Sequence, residues 1–287
     1  MKQIIVLVGP PGSCKTTLAQ KYIHSTGYEY VNQDSHGKEG HLEIFKVALE
    51  SEYPVLIDRM GFNKEQRARY LKPAIDKGYK TKIIVLHQSR STCLERMAKR
   101  ENHPIKDVQS AHYALNAFFS KYERPTADEA DEIEFIYPDG AKDKVIWSDL
   151  DGTLCDVEHR RHFVRGKGKK NWNGFFKEMV NDKVNLPVME TLERFSSTYP
   201  IVYCTGRTDN HKKETEQWLK DNNAPTGQLF MRLRNDKRQD DIVKEIILDF
   251  EILTRYSVLF CLDDRDQVVK MLRNRGLTVF QVAEGDF

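Results

Sequence analysis

The sequence predicts an α/β protein of two domains, each built on a parallel sheet. Three observations support this. Two short runs rich in Val and Ile, Gln3 to Val8 and Lys144 to Ser148, read as buried strands, and each ends in a loop loaded with glycine or aspartate. Strand-like and helix-like segments alternate through both halves, the pattern of βαβ crossovers. The chain has 287 residues, enough for two domains of ordinary size.

In the first half, Gln3 to Val8 gives a strand and 16–26 a helix. Tyr28 to Asn32 is a short second strand, followed by a helix over 40–51. Val55 to Ile57 is a strand, 63–77 a helix and Lys82 to Leu86 a strand. Arg90 to Arg100 and 107–121 are helices. Residues 128–134 (DEADEIE) are strongly acidic, and Pro138 to Asp143 is rich in turn formers, so this stretch reads as a junction. The boundary falls at 142, giving domains 1–142 and 143–287. In the second half, strands are expected at Lys144 to Ser148, Ile201 to Cys204, Val258 to Leu262 and Thr278 to Val282. Helices are expected at 187–197, 209–222, 239–255 and 265–275.

Composition excludes several classes. With 39% hydrophobic and 31% charged residues, the chain can bury a core and is not wholly disordered. Lys and Arg number 45 against 43 Asp and Glu, a net charge of +2, so any nucleic-acid contact rests on local patches. Five cysteines without a CxxC pair argue against a disulfide scaffold or a zinc ribbon. No apolar run approaches the roughly 18 residues needed to span a bilayer. The N-terminal apolar run is too short for a signal segment and reads as the first strand of a cytosolic protein.

The first loop is Gly9-Pro-Pro-Gly12-Ser13-Cys14-Lys15-Thr16-Thr17. It fits the P-loop pattern except that Cys14 replaces the last glycine. Such a loop turns backbone N–H groups toward the phosphates of ATP, its lysine reaches the terminal phosphates, and the hydroxyl of Thr16 can ligate Mg2+. Cys14 reads either as a harmless substitution or as a reactive thiol at a helix N-terminus, in which case its alkylation blocks ATP binding and ATP protects it. Asp34 follows the second strand, where a carboxylate can take a proton from an attacking hydroxyl. Asp58 ends the third strand and can position substrate or support the metal. Arg96 and Arg100 share a helix face, a spacing that fits either a lid over the phosphates or a solvated basic face.

The second loop, Asp149-Leu-Asp151-Gly152-Thr153, resembles the haloacid dehalogenase signature DxDGT. In that chemistry the first carboxylate attacks phosphorus, and the second protonates the leaving oxygen and later activates water. The companions expected of that superfamily follow in order. Thr205 would hold the phosphoryl group, Lys244 would neutralise charge, and Asp263 and Asp264 would complete an oxygen cage for Mg2+ with Asp149 and Asp151. Between these pieces, residues 159–172 combine basic charge with Phe163 and Trp172. That composition suits either single-stranded nucleic acid or a mobile basic loop or small cap.

Taken whole, the chain resembles the bacteriophage-type polynucleotide 5′-kinase/3′-phosphatase family, a P-loop kinase fused to a haloacid dehalogenase-type phosphatase. The similarity is carried by Asp240-Asp-Ile-Val-Lys-Glu245, Asp263 to Gly276 and Gln281 to Phe287, and more loosely by Val31 to Asp34 and Ile57-Asp58. The resemblance implies transfer of the ATP γ-phosphate to a 5′-hydroxyl end. Asp34 would be the base, and Lys15, Arg96 and Arg100 the charge stabilisers. It also implies removal of a 3′-phosphate or 2′,3′-cyclic phosphate through Asp149, with Arg160, Arg207 and Asp240 on the substrate. Single-stranded RNA or DNA ends, a downstream ligase and self-association as a homo-oligomer are the implied partners. The sequence departs from the phage form at Cys14 and at Gly37, where that form has an arginine, here followed by Lys38. The DRMGFN stretch from Asp58 is similar to kinase modules of RNA-repair ligases, which points toward RNA ends. Two other readings use the same residues: a metabolic kinase and phosphatase of free nucleosides or sugars, or a nucleotide-binding module beside an active phosphatase.

Overall fold

A computed structural model describes residues 2–99, 107–166, 168 and 170–285. Arg100 of the expected arginine pair lies outside the described residues. The chain forms two compact units, Met1–Asp139 and Gly140–Phe287.

The first unit runs β1 (Gln3–Val8), α1 (Lys15–Thr26), β2 (Glu29–Asn32), α2 (Gln33–Glu50), β3 (Val55–Asp58), α3 (Lys64–Asp76), β4 (Lys80–Leu86), α4 (Arg90–Ala98), α5 (Val108–Lys121) and β5 (Glu132–Ile136). The sheet order is β2-β3-β1-β4-β5, with every pair parallel. All strand carboxyl ends therefore share one edge, and the loop after the central β1 opens onto it. Side-chain caps fix the helix starts. Asn63 accepts from Gln66 N at 3.0 Å for α3, and Asp107 accepts from Ser110 N at 2.8 Å for α5.

One sequence expectation needs correction. The acidic stretch is not only a junction, because it contains β5. Lys82 of β4 meets Glu132 and Glu134 of that strand at 2.6 and 2.8 Å. Charge on an edge strand deters pairing with other chains, and the same charge hides the strand from a hydrophobicity reading. Elsewhere in the unit, the fully buried Arg67 of α3 donates to both oxygens of Glu129 at 2.7 and 2.8 Å and to the carbonyls of Gly61 and Glu123. It ties the loops after β3 and α5 to one helix.

The second unit runs β6 (Asp143–Ser148), β7 (Cys155–Asp156), α6 (Glu158–Arg161), α7 (Trp172–Lys177), β8 (Lys183–Val184), α8 (Leu186–Ser196), β9 (Ile201–Thr208), α9 (Lys212–Asp221), β10 (Gly227–Arg232), α10 (Asp240–Ile247), β11 (Tyr256–Asp263), α11 (Asp266–Asn274) and β12 (Val279–Gln281). Its main sheet is again parallel, in the order β10-β9-β6-β11-β12, while β7 and β8 form a small antiparallel ribbon. The period of two is visible in β6. Ile146 packs with Leu150, Ile201 and Tyr203 on one face, and Val145 and Trp147 pack with Val202, Cys204 and Cys261 on the other. Burying both faces leaves the strand ends free for chemistry. The α/β expectation with two parallel sheets holds. β10, the ribbon and the short helices α6 and α7 carry no clear sequence pattern, because each is short or only half-buried.

Candidate active sites

In the first unit the β1 loop leads into α1 through Cys14, whose backbone is left-handed at φ 68°, ψ 26°. This is the conformation that favours glycine, reached here with a side chain present. Gly12 is also left-handed at φ 84°, and a Cβ there would press on the Cys93 backbone. Lys15 Nζ donates to the carbonyls of Gly9 and Pro10 at 2.9 Å, folding its ammonium over the loop. Ser13 is buried, and Thr17 follows Thr16 on the first turn of α1.

Thr16 Oγ1 donates to Asp58 Oδ2 at 2.8 Å, and Tyr30 OH donates to the same oxygen at 2.8 Å. Asp58 is therefore drawn to the loop's hydroxyl, as a carboxylate supporting a metal at Thr16 would be. Asp34 lies exposed in the first turn of α2, at the carboxyl end of β2. Arg96 lies against the loop as well. Its Nη1 approaches Cys14 Sγ at 3.2 Å and the Gly12 carbonyl at 3.4 Å. With its carboxamide oxygen facing that guanidinium, Gln88 accepts from both terminal nitrogens at 2.8 Å. Gly37 interrupts α2 at φ 74°, ψ 177°, and the neighbouring Lys38 is exposed.

The second site is denser. Asp149 follows the central β6, Thr205 lies on β9, and Asp263 ends β11, so three adjacent strands converge on one point. Ligand oxygens of Asp149, Asp263 and Asp264 lie within 4.8 Å of one another. Lys244, buried on α10, donates to Asp149 Oδ1 at 2.7 Å and Asp263 Oδ2 at 3.0 Å, and lies 3.5 Å from Asp240. Asp240 is held in turn by Arg232 at 3.0 Å and Arg265 at 3.3 Å. Gly152 is required at this point. Its φ is 89°, and a Cβ would collide with the Asp264 carboxylate.

Burial shapes the acids. It pushes Asp149 up to about 8, Asp264 to about 7 and Asp263 to about 6, each with help from neighbouring carboxylates, while Lys244 pulls each down. Asp264 Oδ1 accepts from Thr153 Oγ1 at 3.2 Å, but its buried Oδ2 has no hydrogen-bond partner. An orphaned carboxylate oxygen beside two more carboxylates is the donor set of a hard cation such as Mg2+. The trio fits that ion.

Asp151, also expected among the metal ligands, lies in a second group with Cys155 and Asp182 rather than with Asp149, Asp263 and Asp264, and two arginines engage its carboxylate. Arg207 Nε donates to both its oxygens at 3.0 Å, and Arg207 Nη2 and Arg160 Nη2 donate to Oδ1. Burial alone would raise Asp151, but the two guanidiniums outweigh it and hold the carboxyl well below its usual range. Asp182 closes the cluster from the other side. It accepts from Arg160 at 2.5 and 2.6 Å and from Arg207 at 3.0 Å. Nothing in the sequence around Asp182 marks it, so it went unseen, as did Gln88, Tyr30 and Arg232.

Residues 143–287 match a family model described as the polynucleotide kinase PNKP phosphatase domain, and residues 37–125 match an AAA domain. A putative bifunctional polynucleotide kinase/RNA ligase of Autographa californica nuclear polyhedrosis virus is 24% identical over 316 residues, covering 98% of this chain and 42% of that protein. A bifunctional polynucleotide phosphatase/kinase of Schizosaccharomyces pombe is 33% identical over 129 residues, covering 45% of this chain and 31% of its own length. The chain thus spans less than half of either relative. Among solved structures, a chain of a Pnkp1/Rnl/Hen1 RNA repair complex aligns over 99% of this chain and 97% of its own, at 24% identity and a TM-score of 0.44.

Proposed function

Through residues 143–287 the chain belongs to the polynucleotide kinase PNKP phosphatase domain family, and from that premise we propose that it heals nucleic-acid ends. The first unit phosphorylates a 5′-hydroxyl from ATP, and the second removes a 3′-phosphate. The observation that carries this reading is the double cluster at the carboxyl edge of the second sheet. Asp149 sits among cation-type ligands and Lys244, beside Asp151 clamped by two arginines.

In the phosphatase step an Asp149 oxygen attacks phosphorus, the bond to the 3′-oxygen breaks, and that oxygen takes a proton from Asp151. Water then attacks the aspartyl phosphate, Asp151 takes its proton, and Asp149 and inorganic phosphate are released. The clamped Asp151 starts ionised, which suits the second half. For the first half, an incoming phosphate competes for Arg160 and Arg207, frees Asp151 from their charge, and lets its carboxyl take up the proton it must deliver. Lys244 and Thr205 neutralise and hold the phosphoryl oxygens, and Asp240 fixes Lys244.

In the kinase step Asp34 takes the proton of the 5′-hydroxyl, whose oxygen attacks the γ-phosphorus as the bond to ADP breaks. Lys15 and Arg96 offset the growing charge, with Arg100 assigned to the same task by sequence alone. When bound, Mg2+ would be held by Thr16 with Asp58 in one unit and by Asp149, Asp263 and Asp264 in the other, and would supply charge neutralisation at phosphate. The product ends suit a ligase, and the viral relative's own name joins polynucleotide kinase to RNA ligase.

The test is one oligonucleotide with a 5′-hydroxyl and a 3′-phosphate, made as RNA and as DNA, incubated with Mg2+ and γ-labelled ATP. Label gained at the 5′ end and phosphate lost at the 3′ end are expected, with RNA favoured. Equal turnover of free nucleosides would overturn the polynucleotide reading.

A further inference from the structure

Of the aromatic residues in the basic segment 159–172, Phe163 is half-buried and packs against the core of the second unit. Trp172 is different. It opens α7 with 43% of its surface exposed. Its ring stacks on Phe176, one turn along, with an interplanar angle of 24° and a centroid distance of 5.9 Å. Phe176 in turn meets the ring of His211 at 5.2 Å. His211 stands four residues after Arg207, just beyond the strand that brings Thr205 and Arg207 to the site. Lys170 Nζ lies 5.6 Å from the Trp172 ring centroid.

The same helix is anchored in the catalytic cluster. Phe175, buried between the two stacked residues in sequence, lies under the Arg160 guanidinium at 4.0 Å, and its carbonyl accepts from Arg160 Nη1 at 3.3 Å. One residue of α7 thus supports an arginine of the phosphate cluster, while Trp172 stands exposed against the half-buried Phe176, which packs on the core. A tryptophan is costly to leave in water, and here it is braced from behind by a second ring and flanked by a cation. This is the arrangement that stacks an unpaired base while a lysine meets the adjoining phosphate.

We propose that Trp172, backed by Phe176 and His211 and assisted by Lys170, is a stacking platform for the bases of the single strand whose 3′-phosphate enters the second site. The proposal rests on the phosphatase reading above and deepens it. The platform makes the site prefer a strand over a small phosphate monoester, without reading base identity.

Two measurements test it. In the first, kcat/KM is taken for a 3′-phosphorylated oligonucleotide and for an arylphosphate lacking a base. The ratio of the two falls about tenfold in Trp172→Ala, through KM, and recovers in Trp172→Phe. An unchanged ratio, or a loss equal on both compounds, overturns the platform and leaves the phosphatase reading intact. The second is binding without turnover, in chelator. Trp147 and Trp218 are buried, so quenching of tryptophan emission by a single-stranded oligonucleotide reports Trp172 and is expected to vanish in Trp172→Phe. Quenching without 3′-dephosphorylation would keep the platform and remove the phosphatase reading. Absence of quenching would remove the platform.

Discussion

Lys244 Nζ donates to Asp149 Oδ1 at 2.7 Å, with both residues buried. The contact holds the ammonium beside the carboxylate proposed as the nucleophile. It also offsets the burial that raises the Asp149 carboxyl. Asp149→Asn keeps the shape and removes the proposed nucleophile. It is expected to cut 3′-phosphate release by roughly 10³-fold or more and to leave 5′-phosphorylation unchanged. Parallel assays of the two ends on one folded preparation decide this, and loss of both activities would contradict the division of labour.

Asp34 gives the reciprocal case. It is exposed in the first turn of α2, at the carboxyl end of β2. Asp34→Ala therefore carries little structural cost and removes the proposed general base, an expected effect of roughly 10²–10⁴-fold on phosphoryl transfer. ATP binding and 3′-dephosphorylation should persist. Phosphorylation within a few-fold of the parent would move the base elsewhere.

Cys14 stands in a left-handed backbone at φ 68°. A side chain there costs about 1–2 kcal/mol, whereas glycine gives back about 0.5–1 kcal/mol through the freer unfolded chain. Cys14→Gly also loses the contact with Arg96. The net expectation is a gain of up to about 1 kcal/mol in the first unit, read by denaturant unfolding, with Cys14→Ala giving no gain. A loss on Cys14→Gly would mean that the thiol contact outweighs the backbone strain.

Arg67 and Glu129 form a buried pair that fastens two loops to α3. Glu129→Ala leaves a fully buried guanidinium without its counter-charge, and a loss of about 3–5 kcal/mol is expected in the first unit. A denaturation midpoint close to the parent's would show that Arg67 is satisfied by the Gly61 and Glu123 carbonyls alone.

What the sequence made legible follows from how locally each feature is encoded. The two loops announce themselves because loop chemistry, strand and turn are contiguous at Gly9–Thr16 and Asp149–Thr153. Thr205, Lys244 and Asp263 fall on strands or helices with clear periodicity, so their order could be read and topology brings them together. Asp182 could not be found that way. Its importance arises only when the insertion between β6 and β9 folds Arg160 onto it, and no local pattern records that contact. Likewise β5 was obscured because its acids answer Lys82 across the sheet, a pairing visible only in register. The exposure of Trp172 against the half-buried Phe163 is a third case, since both look alike in a basic segment.

The orphaned Oδ2 of Asp264 leads to a prediction about the metal. In its absence three buried carboxylates face one another, and burial and mutual repulsion raise all three above the usual carboxylate range against the pull of Lys244. If the trio binds Mg2+, a hundredfold excess over its Kd is expected to stabilise the folded unit by about 2.7 kcal/mol, or about 5–10 °C in Tm for a unit of this size. Binding displaces the protons, so the shift grows as pH rises from 6 to 8 and shrinks as it falls. Asp264→Asn removes one ligand and one repelling charge together. The metal-free Tm is then expected to hold or rise, while the Mg2+-dependent shift collapses. Both are read by calorimetry with and without chelator. A variant that keeps the full Mg2+ shift would place the ion away from Asp264 and break the link between the orphaned oxygen and the metal.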